Sequence, residues 1–345
     1  MTYLVTGAAG FIGFHVAERL LARGEPVMGI DSLSPYYSVD LKKARLAELT
    51  RHANFRFAKL DIADFAAVKA TLFREPLKRV VHLAAQAGVR HSIEHPHDYL
   101  HANLAGHLNM LELCRHSRSI ETMAYASSSS VYGGNTKLPF SETDRVDHPI
   151  SLYAATKKAD ELMSQTYAHL YRIPLTGLRF FTVYGPWGRP DMALWLFTEA
   201  ILAGRPIKVF NDGNMRRDFT YIDDIVSGVV AAVDRPPTEP GSEAPHRVYN
   251  IGNHRSERLM DMIAIIEATL GMKAKKEFLP MQPGDVAETY ADIDAIRRDL
   301  GFEPTTPIGV GIPRFIAWYR QYHRLGDTAH ADETVHLMPS HGPAG

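Results

Sequence analysis

Short apolar runs alternate with helix-like stretches along the first half of the chain. The runs lie at residues 3–6, 26–31, 55–60, 79–83 and 122–126, and each predicts a buried β-strand. The segments between them are long enough for crossover helices. The clearest spans residues 14–23, where Val16, Ala17, Leu20 and Leu21 share one face. Strands that alternate with helices form βαβ units, so the pattern predicts an α/β fold with a doubly wound parallel sheet.

The second half predicts a smaller mixed α/β domain that interleaves with the first. Proline and glycine become frequent after about residue 180. A helix is predicted at about 223–234, a turn-rich loop at 236–241, a strand at 248–251, and helices at about 259–270 and 312–323. We expect a first domain of residues 1–180 and about 214–235, and a second of about 181–213 and 236–325. The aperiodic tail, 326–345, is predicted to be disordered.

Composition and charge exclude several classes of protein. The 345 residues are 45% hydrophobic, enough for one large core or two smaller ones. The formal net charge of −1 argues against nucleic-acid binding by bulk electrostatics. No apolar run is long enough to span a membrane, and the first residues lack the basic segment of a signal peptide. Cys114, the single cysteine, can form no internal disulfide and is expected in the core. These features indicate a cytoplasmic protein.

A glycine-rich loop follows the first predicted strand. Gly7, Gly10 and Gly13 let the backbone turn tightly and approach a pyrophosphate, and the next helix offers its N-terminal N–H groups. The spacing G-x-x-G-x-x-G has one more residue in its first gap than the common dinucleotide fingerprint. Asp31, at the end of the second predicted strand, suits ribose hydroxyls and would repel a 2′-phosphate. A strand–turn–helix without a ligand is the competing interpretation, but loop and acid together favour bound NAD.

A tyrosine and a lysine at helical spacing are the candidate catalytic pair. Tyr153 and Lys157 lie at i, i+4 on a predicted helix that Ser151 is expected to cap. A nearby ammonium favours a phenolate, which can take a proton from an alcohol while hydride leaves the same carbon. Ser128 belongs to a serine run at the end of the fifth strand, where it can bridge a substrate oxygen and Tyr153. A surface Tyr–Lys pair and a polar loop are the alternatives.

These residues together resemble the extended short-chain dehydrogenase/reductases, whose nucleotide-binding half is a Rossmann-type sheet. The resemblance covers about residues 1–322. It is most specific in four strings, at 84–90, 127–133, 179–193 and 217–224, which are similar to UDP-glucuronate 4-epimerases. It implies that a tightly held NAD+ takes hydride from C4 of UDP-glucuronate and returns it to the other face of a 4-keto intermediate. The product would be UDP-galacturonate.

The resemblance also implies a role for each site residue. Tyr153 would be the base, Lys157 would favour its phenolate and hold the nicotinamide ribose, and Ser128 would orient the 4-oxygen. Besides Tyr153 and Lys157, the implied cofactor contacts are Gly7, Gly10, Phe11, Ile12, Gly13, Asp31, Asp61, Ile62, Leu83, Ala84, Ala85, Gln86, Asn103 and Phe181. The implied substrate contacts are Arg90, Ser127, Ser128, Ser129, Thr182, Arg189, Arg217, Gln282 and Asp285. Amphipathic helices at about 104–113 and 153–170 imply a homodimer with a four-helix interface.

The chemistry of the expected substrate raises the question of decarboxylation. A 4-keto uronate is a β-keto acid, which loses CO2 when its carboxylate bond aligns with the ketone. Arg189, assisted by Thr182, is the candidate for holding the carboxylate out of that alignment. Relatives that decarboxylate carry a glutamate two residues before the tyrosine of the serine-run motif. Ser130 stands at that position here, which favours epimerisation.

Three alternative functions and one metal hypothesis stay open beside this interpretation. The alternatives are a UDP-glucuronate decarboxylase, a 4-epimerase of neutral UDP-hexoses, and a non-catalytic NAD(H)-binding interaction protein. The presence of Tyr153, Lys157 and Ser128 argues against the last.

Residues 91–107 contain five histidines, with His97 and His101 at i, i+4. A zinc site needs three or four convergent ligands and Pro96 interrupts any helix there, so we expect surface histidines and no metal.

Overall fold

The computed structural model describes residues 2–238, 243–282 and 286–325. Its strands are β1 (Thr2–Thr6), β2 (Val27–Asp31), β3 (Phe55–Lys59), β4 (Leu77–His82), β5 (Thr122–Ser128), β6 (Leu175–Phe180), β7 (Thr182–Tyr184), β8 (Ile207–Phe210), β9 (Arg216–Arg217), β10 (Phe219–Tyr221), β11 (His246–Ile251), β12 (Glu257–Arg258) and β13 (Lys276–Leu279). Its α-helices are α1 (Phe11–Ala22), α2 (Val39–Leu49), α3 (Phe65–Leu72), α4 (His91–Glu94), α5 (Pro96–Tyr99), α6 (Gly106–His116), α7 (Leu152–Tyr171), α8 (Ala193–Leu202), α9 (Ile222–Asp234), α10 (Leu259–Leu270), α11 (Asp294–Leu300) and α12 (Ile308–Tyr322).

Seven parallel strands form the central sheet, in the order β11–β6–β5–β4–β1–β2–β3. In β1, Val5 pairs with Gly29 of β2 on one side and with Val81 of β4 on the other. The chain therefore builds outward from β1 in one direction and then crosses to the other side at β4. This reversal leaves a crevice at the carboxyl ends of β1 and β4, which is where open α/β sheets bind ligands. The prediction of a doubly wound α/β fold is confirmed.

Alternating side chains along the strands fill a core on each face of the sheet. On one face, Leu4 belongs to a buried cluster with Leu113 of α6. On the other, Val5 belongs to a buried cluster with Val16 of α1 and Val229 of α9. Because helices cover both faces, inner strands such as β2 and β6 are buried along their whole length and read as apolar runs rather than as alternating ones.

Most predicted elements are confirmed with small changes of boundary. The helix predicted at about 259–270 is α10, with the same bounds. The helix predicted at about 104–113 is longer, because a π-helix over Leu100–Ala105 runs directly into α6. The predicted closing helix begins earlier, at Ile308, which is buried on the same helix as Ile312.

Beyond Phe180 the chain leaves the central sheet and forms three small two-stranded sheets. These pair β7 with β10, β8 with β13 and β9 with β12. In α9, Asp234 accepts hydrogen bonds from the Tyr3 hydroxyl (2.7 Å) and the Arg23 guanidinium (2.7 Å), which ties that helix to β1 and α1. These contacts join α9 to the first half of the chain.

One strand lies on the other side of the predicted domain boundary. β11, which the boundary at about residue 236 assigns to the second domain, pairs with β6 as the edge strand of the central sheet, with His246 opposite Leu175. β6 is buried along its whole length, so its outer hydrogen-bonding edge needs a partner, and β11 supplies it. Apart from the placement of β11, the expected division into two domains stays a prediction.

Three further expectations concern the ends and the environment of the chain. The predicted disordered tail, 326–345, lies outside the described residues. No helix in the described part of the chain is long and apolar enough to cross a membrane. Cys114 is buried, and burial raises the pKa of its thiol to about 12, so the prediction of a core cysteine is confirmed.

Candidate active site

The glycine loop leaves a cradle between β1 and α1 that larger residues would fill. At Gly7, which has φ +71°, an added Cβ would lie 2.9 Å from the Ala84 nitrogen. At Gly13, an added Cβ would lie 2.1 Å from the Gly7 oxygen. Gly10 begins α1 without any side-chain cap, so the N-terminal N–H groups of this helix remain for a ligand. Positive helix dipole and close backbone approach are what a pyrophosphate requires, and NAD fits this loop.

Asp31 is tied to the glycine loop at the end of β2. Its carboxylate accepts hydrogen bonds from the Ala9 nitrogen (3.2 Å) and the Leu33 nitrogen (2.8 Å). The other predicted cofactor residues follow neighbouring strands at the same edge: Asp61 and Ile62 after β3, and Leu83, Ala84, Ala85 and Gln86 after β4. Because the carboxyl ends of parallel strands meet at one edge, these segments line one crevice. Their contacts with NAD stay predictions.

Asn103 connects this crevice to α7, the helix that carries the candidate catalytic pair. It lies in the π-helix and accepts from the Gln86 nitrogen (2.8 Å) while donating to the Gln86 oxygen (3.1 Å) and the Thr156 hydroxyl (3.0 Å). Thr156 in turn donates to the Tyr153 carbonyl (2.9 Å). A π-helix often marks a functional site, and here it brings an amide side chain between β4 and α7.

The candidate catalytic pair, Tyr153 and Lys157, lies on the first two turns of α7. Ser151 caps this helix by accepting from the Ala154 nitrogen (3.1 Å), as predicted. Lys157 is 3% exposed, and its ammonium donates to the Ala126 carbonyl (3.1 Å) and to Asp160 (3.0 Å). Lys157 is therefore anchored to the end of β5, from which the serine run continues.

The serine run divides between two faces of the sheet. Ser128 accepts from the Ser130 nitrogen (3.1 Å) and donates to the Ser130 hydroxyl (3.1 Å) in a tight turn after β5, and Ser129 is half-buried there. Ser127 instead donates to Glu161 (2.7 Å) in the interior. Successive strand residues point to opposite faces, so the predicted sugar contact of Ser127 has no support in this geometry.

A buried hydrogen-bond network holds the serine run through Ser127, whose hydroxyl bonds Glu161. Arg179 donates two hydrogen bonds to Glu161 (2.8 and 2.9 Å) and one to the Tyr132 hydroxyl (3.0 Å). Tyr132 donates to Asn250 of β11 (2.6 Å). Burial alone would raise the pKa of Glu161, but the bonds and charge of Arg179 hold it below its usual value. Sequence analysis missed the roles of Glu161 and Asn250, because only the fold brings these distant positions together.

Arg189 is held by a neighbouring carboxylate. Its Nε donates to Asp191 (3.0 Å), a second guanidinium nitrogen bonds the other oxygen, and the Tyr36 hydroxyl also donates to Asp191 (3.0 Å). Burial alone would raise the pKa of Asp191, but the charge and hydrogen bond of Arg189 lower it. Burial is the larger cause and the negative charge of Asp191 the next, and together they raise the pKa of the Tyr36 hydroxyl to about 12. Sequence analysis identified Arg189 but missed Asp191 and Tyr36.

Arg45 is a further residue that the sequence pattern did not reveal. It is fully buried and donates to the Ala9 carbonyl of the glycine loop (2.8 Å) and to the Tyr37 hydroxyl (2.8 Å). It also donates to the carbonyls of Trp187 (2.6 Å) and Gly188 (3.2 Å). One guanidinium thus joins the glycine loop to the segment that carries Arg189.

Two of the remaining predicted substrate residues, Arg217 and Thr182, lie in the small two-stranded sheets. Arg217, in β9, donates to the carbonyls of Arg216 (2.8 Å) and Ala287 (3.1 Å). Arg90 lies over the Phe210 ring at 5.1 Å. Thr182 begins β7, directly after the buried Phe181. Gln282 is half-buried, and Asp285 lies outside the described residues. The substrate contacts of all these residues stay predictions.

The expectation of surface histidines at 91–107 is wrong at one position, because His107 is buried and its ring bonds the Ser164 hydroxyl (2.8 Å). His101 is exposed and pairs with Asp61 at 2.9 Å. Among the described residues, one group has ligand atoms within 4.8 Å of one another: His91, His95 and Asp98. The two imidazole rings stack at 4.3 Å, and His91 lies 3.4 Å from the Asp98 carboxylate.

The chain belongs to the NAD dependent epimerase/dehydratase family, whose model matches residues 3–252. It is 47% identical to a probable UDP-glucuronate 4-epimerase from Rhizobium meliloti, over 95% of this chain and 99% of the relative. It is 48% identical to UDP-glucuronate 4-epimerase 3 from Arabidopsis thaliana, over 94% of this chain and 78% of the relative. The crystal structure of UDP-glucuronic acid 4-epimerase from Bacillus cereus in complex with UDP-glucuronic acid and NAD matches with a TM-score of 0.84 and 34% identity, over 93% of this chain and 100% of that one.

Proposed function

We propose that the protein is a UDP-glucuronate 4-epimerase, which interconverts UDP-glucuronate and UDP-galacturonate through a 4-keto intermediate with tightly bound NAD+. The identity to named relatives carries the proposal: the chain is 47–48% identical to relatives named for this activity. It also has Tyr153 and Lys157 in the first turns of α7 and Ser128 at the carboxyl end of β5. The Bacillus cereus relative holds both UDP-glucuronic acid and NAD.

The residues of the chain supply the proton chemistry. Tyr153 accepts the proton of the 4-hydroxyl, keeps it while the ketone turns over in the pocket, and returns it to the 4-oxygen. Ser128 orients that oxygen, and Lys157 favours the phenolate and holds the nicotinamide ribose. When bound, NAD+ would supply the hydride acceptor for C4 and the donor for the opposite face. The glycine cradle would hold the cofactor, with Asp31 accepting from its adenosine ribose.

Arg189 keeps the reaction from ending in decarboxylation. Two of the five N–H donors of its guanidinium are bonded to Asp191, which fixes the plane of the group. The remaining donors, together with Thr182, hold the substrate carboxylate out of alignment with the 4-ketone. Ser130, which bonds Ser128, occupies the position where decarboxylating relatives carry glutamate.

The same proposal includes a homodimer and the predicted division of labour between domains. Leucines with exposed side chains lie eight residues apart on each of two packed helical segments: Leu100 and Leu108, and Leu162 and Leu170. Pairing these faces between two subunits would bury them in a four-helix interface. Residues 1–180 and about 214–235, with β11 as the edge strand of their sheet, bind NAD, and the rest of about 181–213 and 236–325 binds the nucleotide sugar. The cytoplasmic location is a prediction that cell fractionation tests.

Nuclear magnetic resonance of the reaction tests the proposed function. Purified protein without added coenzyme should convert UDP-glucuronate to UDP-galacturonate, and Tyr153→Phe should lose nearly all of this activity. Tyr322→Phe, which removes a half-buried hydroxyl on α12, is the matched control and should keep it. Release of CO2 with a UDP-pentose as the main product would identify a decarboxylase instead. Turnover of neutral UDP-hexoses alone would identify a hexose epimerase, and no turnover at all a binding protein.

A further inference from the structure

A fully buried carboxylate lies one turn beyond the catalytic lysine. Asp160 is 0% exposed, and its Oδ2 accepts from the Lys157 ammonium at 3.0 Å. Its other carboxylate oxygen, Oδ1, is buried without a hydrogen-bond partner. A buried carboxylate with one idle oxygen is costly, so its place beside Lys157 calls for a role that an apolar or amide side chain would not fill.

The groups around Asp160 make it the counter-ion of Lys157. Burial lowers the pKa of His107 to about 3 and that of His82 far below its usual value, so both rings are neutral near pH 7. The charge of Glu161 is balanced by Arg179, which donates two hydrogen bonds to its carboxylate. Groups that face Asp160 or Lys157 are Glu161 on the same helix, His107 of α6, Tyr125 of β5 and His82 of β4. Tyr125 is kept protonated by burial, which raises its pKa, and its hydroxyl bonds His246 (2.8 Å), a ring whose pKa burial lowers to about 4.

The ammonium geometry follows from this pairing. An ammonium has three N–H donors, and Ala126 and Asp160 accept two of them. The third donor is left for the ribose hydroxyl of the cofactor or the phenolate oxygen. Asp160 therefore both orients the ammonium and reduces the net positive charge beneath Tyr153.

We infer that Asp160 is a positioning residue that sets the pH range of the reaction by balancing the charge of Lys157. The inference rests on the proposed function, in which Tyr153 is the base. Tyr153 and Asp160 are two helical turns apart, about 10.5 Å along the axis. One charge at that distance, in a medium of effective dielectric constant about 20, shifts the pKa of a titrating group by about one unit.

Asp160→Asn tests the inference, because asparagine keeps the size and the acceptor oxygen but removes the charge. We expect both limbs of the kcat profile to move to lower pH, the acid limb by about one unit. Without the carboxylate, the phenolate forms more readily and the ammonium loses its proton more readily. KM at the plateau should change less than twofold. Asp40→Asn is the matched control, since Asp40 pairs with Lys43 at the same i, i+3 spacing (3.6 Å) but is exposed.

A second measurement separates this inference from the proposed function. Phenolate absorbance near 295 nm, taken as the difference from Tyr153→Phe, should appear at lower pH in Asp160→Asn than in the wild type. This titration needs no substrate, so it stands even if UDP-glucuronate is not turned over. An unmoved or upward-shifted titration in a variant that melts like the wild type and keeps its NAD would overturn the inference. If Asp160→Asn fails to fold, Asp160→Ser, which also removes the charge, takes its place in the same titration.

Discussion

Replacing Arg45 by methionine should destabilise the protein and weaken its hold on NAD. Methionine fills a similar volume but cannot donate, so the carbonyls of Ala9, Trp187 and Gly188 and the hydroxyl of Tyr37 each lose a hydrogen bond. The Ala9 carbonyl belongs to the glycine loop. The loss therefore reaches the cofactor cradle directly.

The size of the effect follows from the balance of two terms. Each buried polar group left without a partner costs about 1–3 kcal/mol. Against this, removing a buried guanidinium recovers several kcal/mol of desolvation, here including an Nε that has no partner. We expect a net loss of about 3 kcal/mol, at the lower end of what breaking a buried ionic network costs. An unfolding entropy of about 2.1 cal/mol/K per residue over 345 residues converts this to a melting temperature lower by about 4 °C.

Calorimetry of the wild type and Arg45→Met, each with saturating NAD, measures this difference. The amount of NAD extracted per subunit from the purified proteins measures independently how well the glycine loop retains the cofactor. Arg51→Met is the control, because Arg51 is on the same stretch of chain but 72% exposed and pairs with the neighbouring Glu48 carboxylate. The free energy of unfolding of this variant should change by less than about 0.5 kcal/mol. A melting temperature for Arg45→Met equal to or above that of the wild type would refute the reasoning.

Three further substitutions test the cradle, the carboxylate and the dimer. In Gly13→Ala the new Cβ would lie 2.1 Å from the Gly7 oxygen, so the loop must shift, and the NAD extracted per subunit should fall at least fivefold; full occupancy would contradict the proposed cradle. Arg189→Ala should raise the fraction of UDP-glucuronate that ends as CO2 and pentose, counted by nuclear magnetic resonance, and an unchanged fraction would remove Arg189 from that role. Leu162→Glu places a charge on the proposed dimer face and should yield a monomer in light scattering at micromolar concentration, whereas an intact dimer would place the interface elsewhere.

Local signals in the sequence were enough to predict the local structure at the centre of the candidate site. The glycine loop, the Ser151 cap and the Tyr153–Lys157 pair each involve residues within one or two helical turns, where spacing alone decides which groups meet. The same holds for α10, whose apolar period and closing Gly271 define both ends. For such features, the chemistry is visible before the fold is known.

Contacts between distant positions could not be predicted in this way. Arg45 lies on an amphipathic helix, where an arginine is normally solvated, and its partner Trp187 is 142 residues away. The burial of Asp160 and the turn of Ser127 toward Glu161 depend on how α7 lies against the sheet. β11 could not be assigned from its own residues, because a short apolar strand fits any sheet whose edge is open.

The position of β11 has a consequence for synthesis on the ribosome. β6 is complete at Phe180, but its partner is complete only at Ile251, about 70 residues later. At about 5–20 residues per second, the growing chain exposes the unpaired hydrogen-bonding edge of β6 for several seconds. During that time the edge can pair with another chain, and no fragment that stops before residue 246 can close its sheet. The nascent protein should therefore need a chaperone at this stage, and separate expression of the first 235 residues should give aggregates.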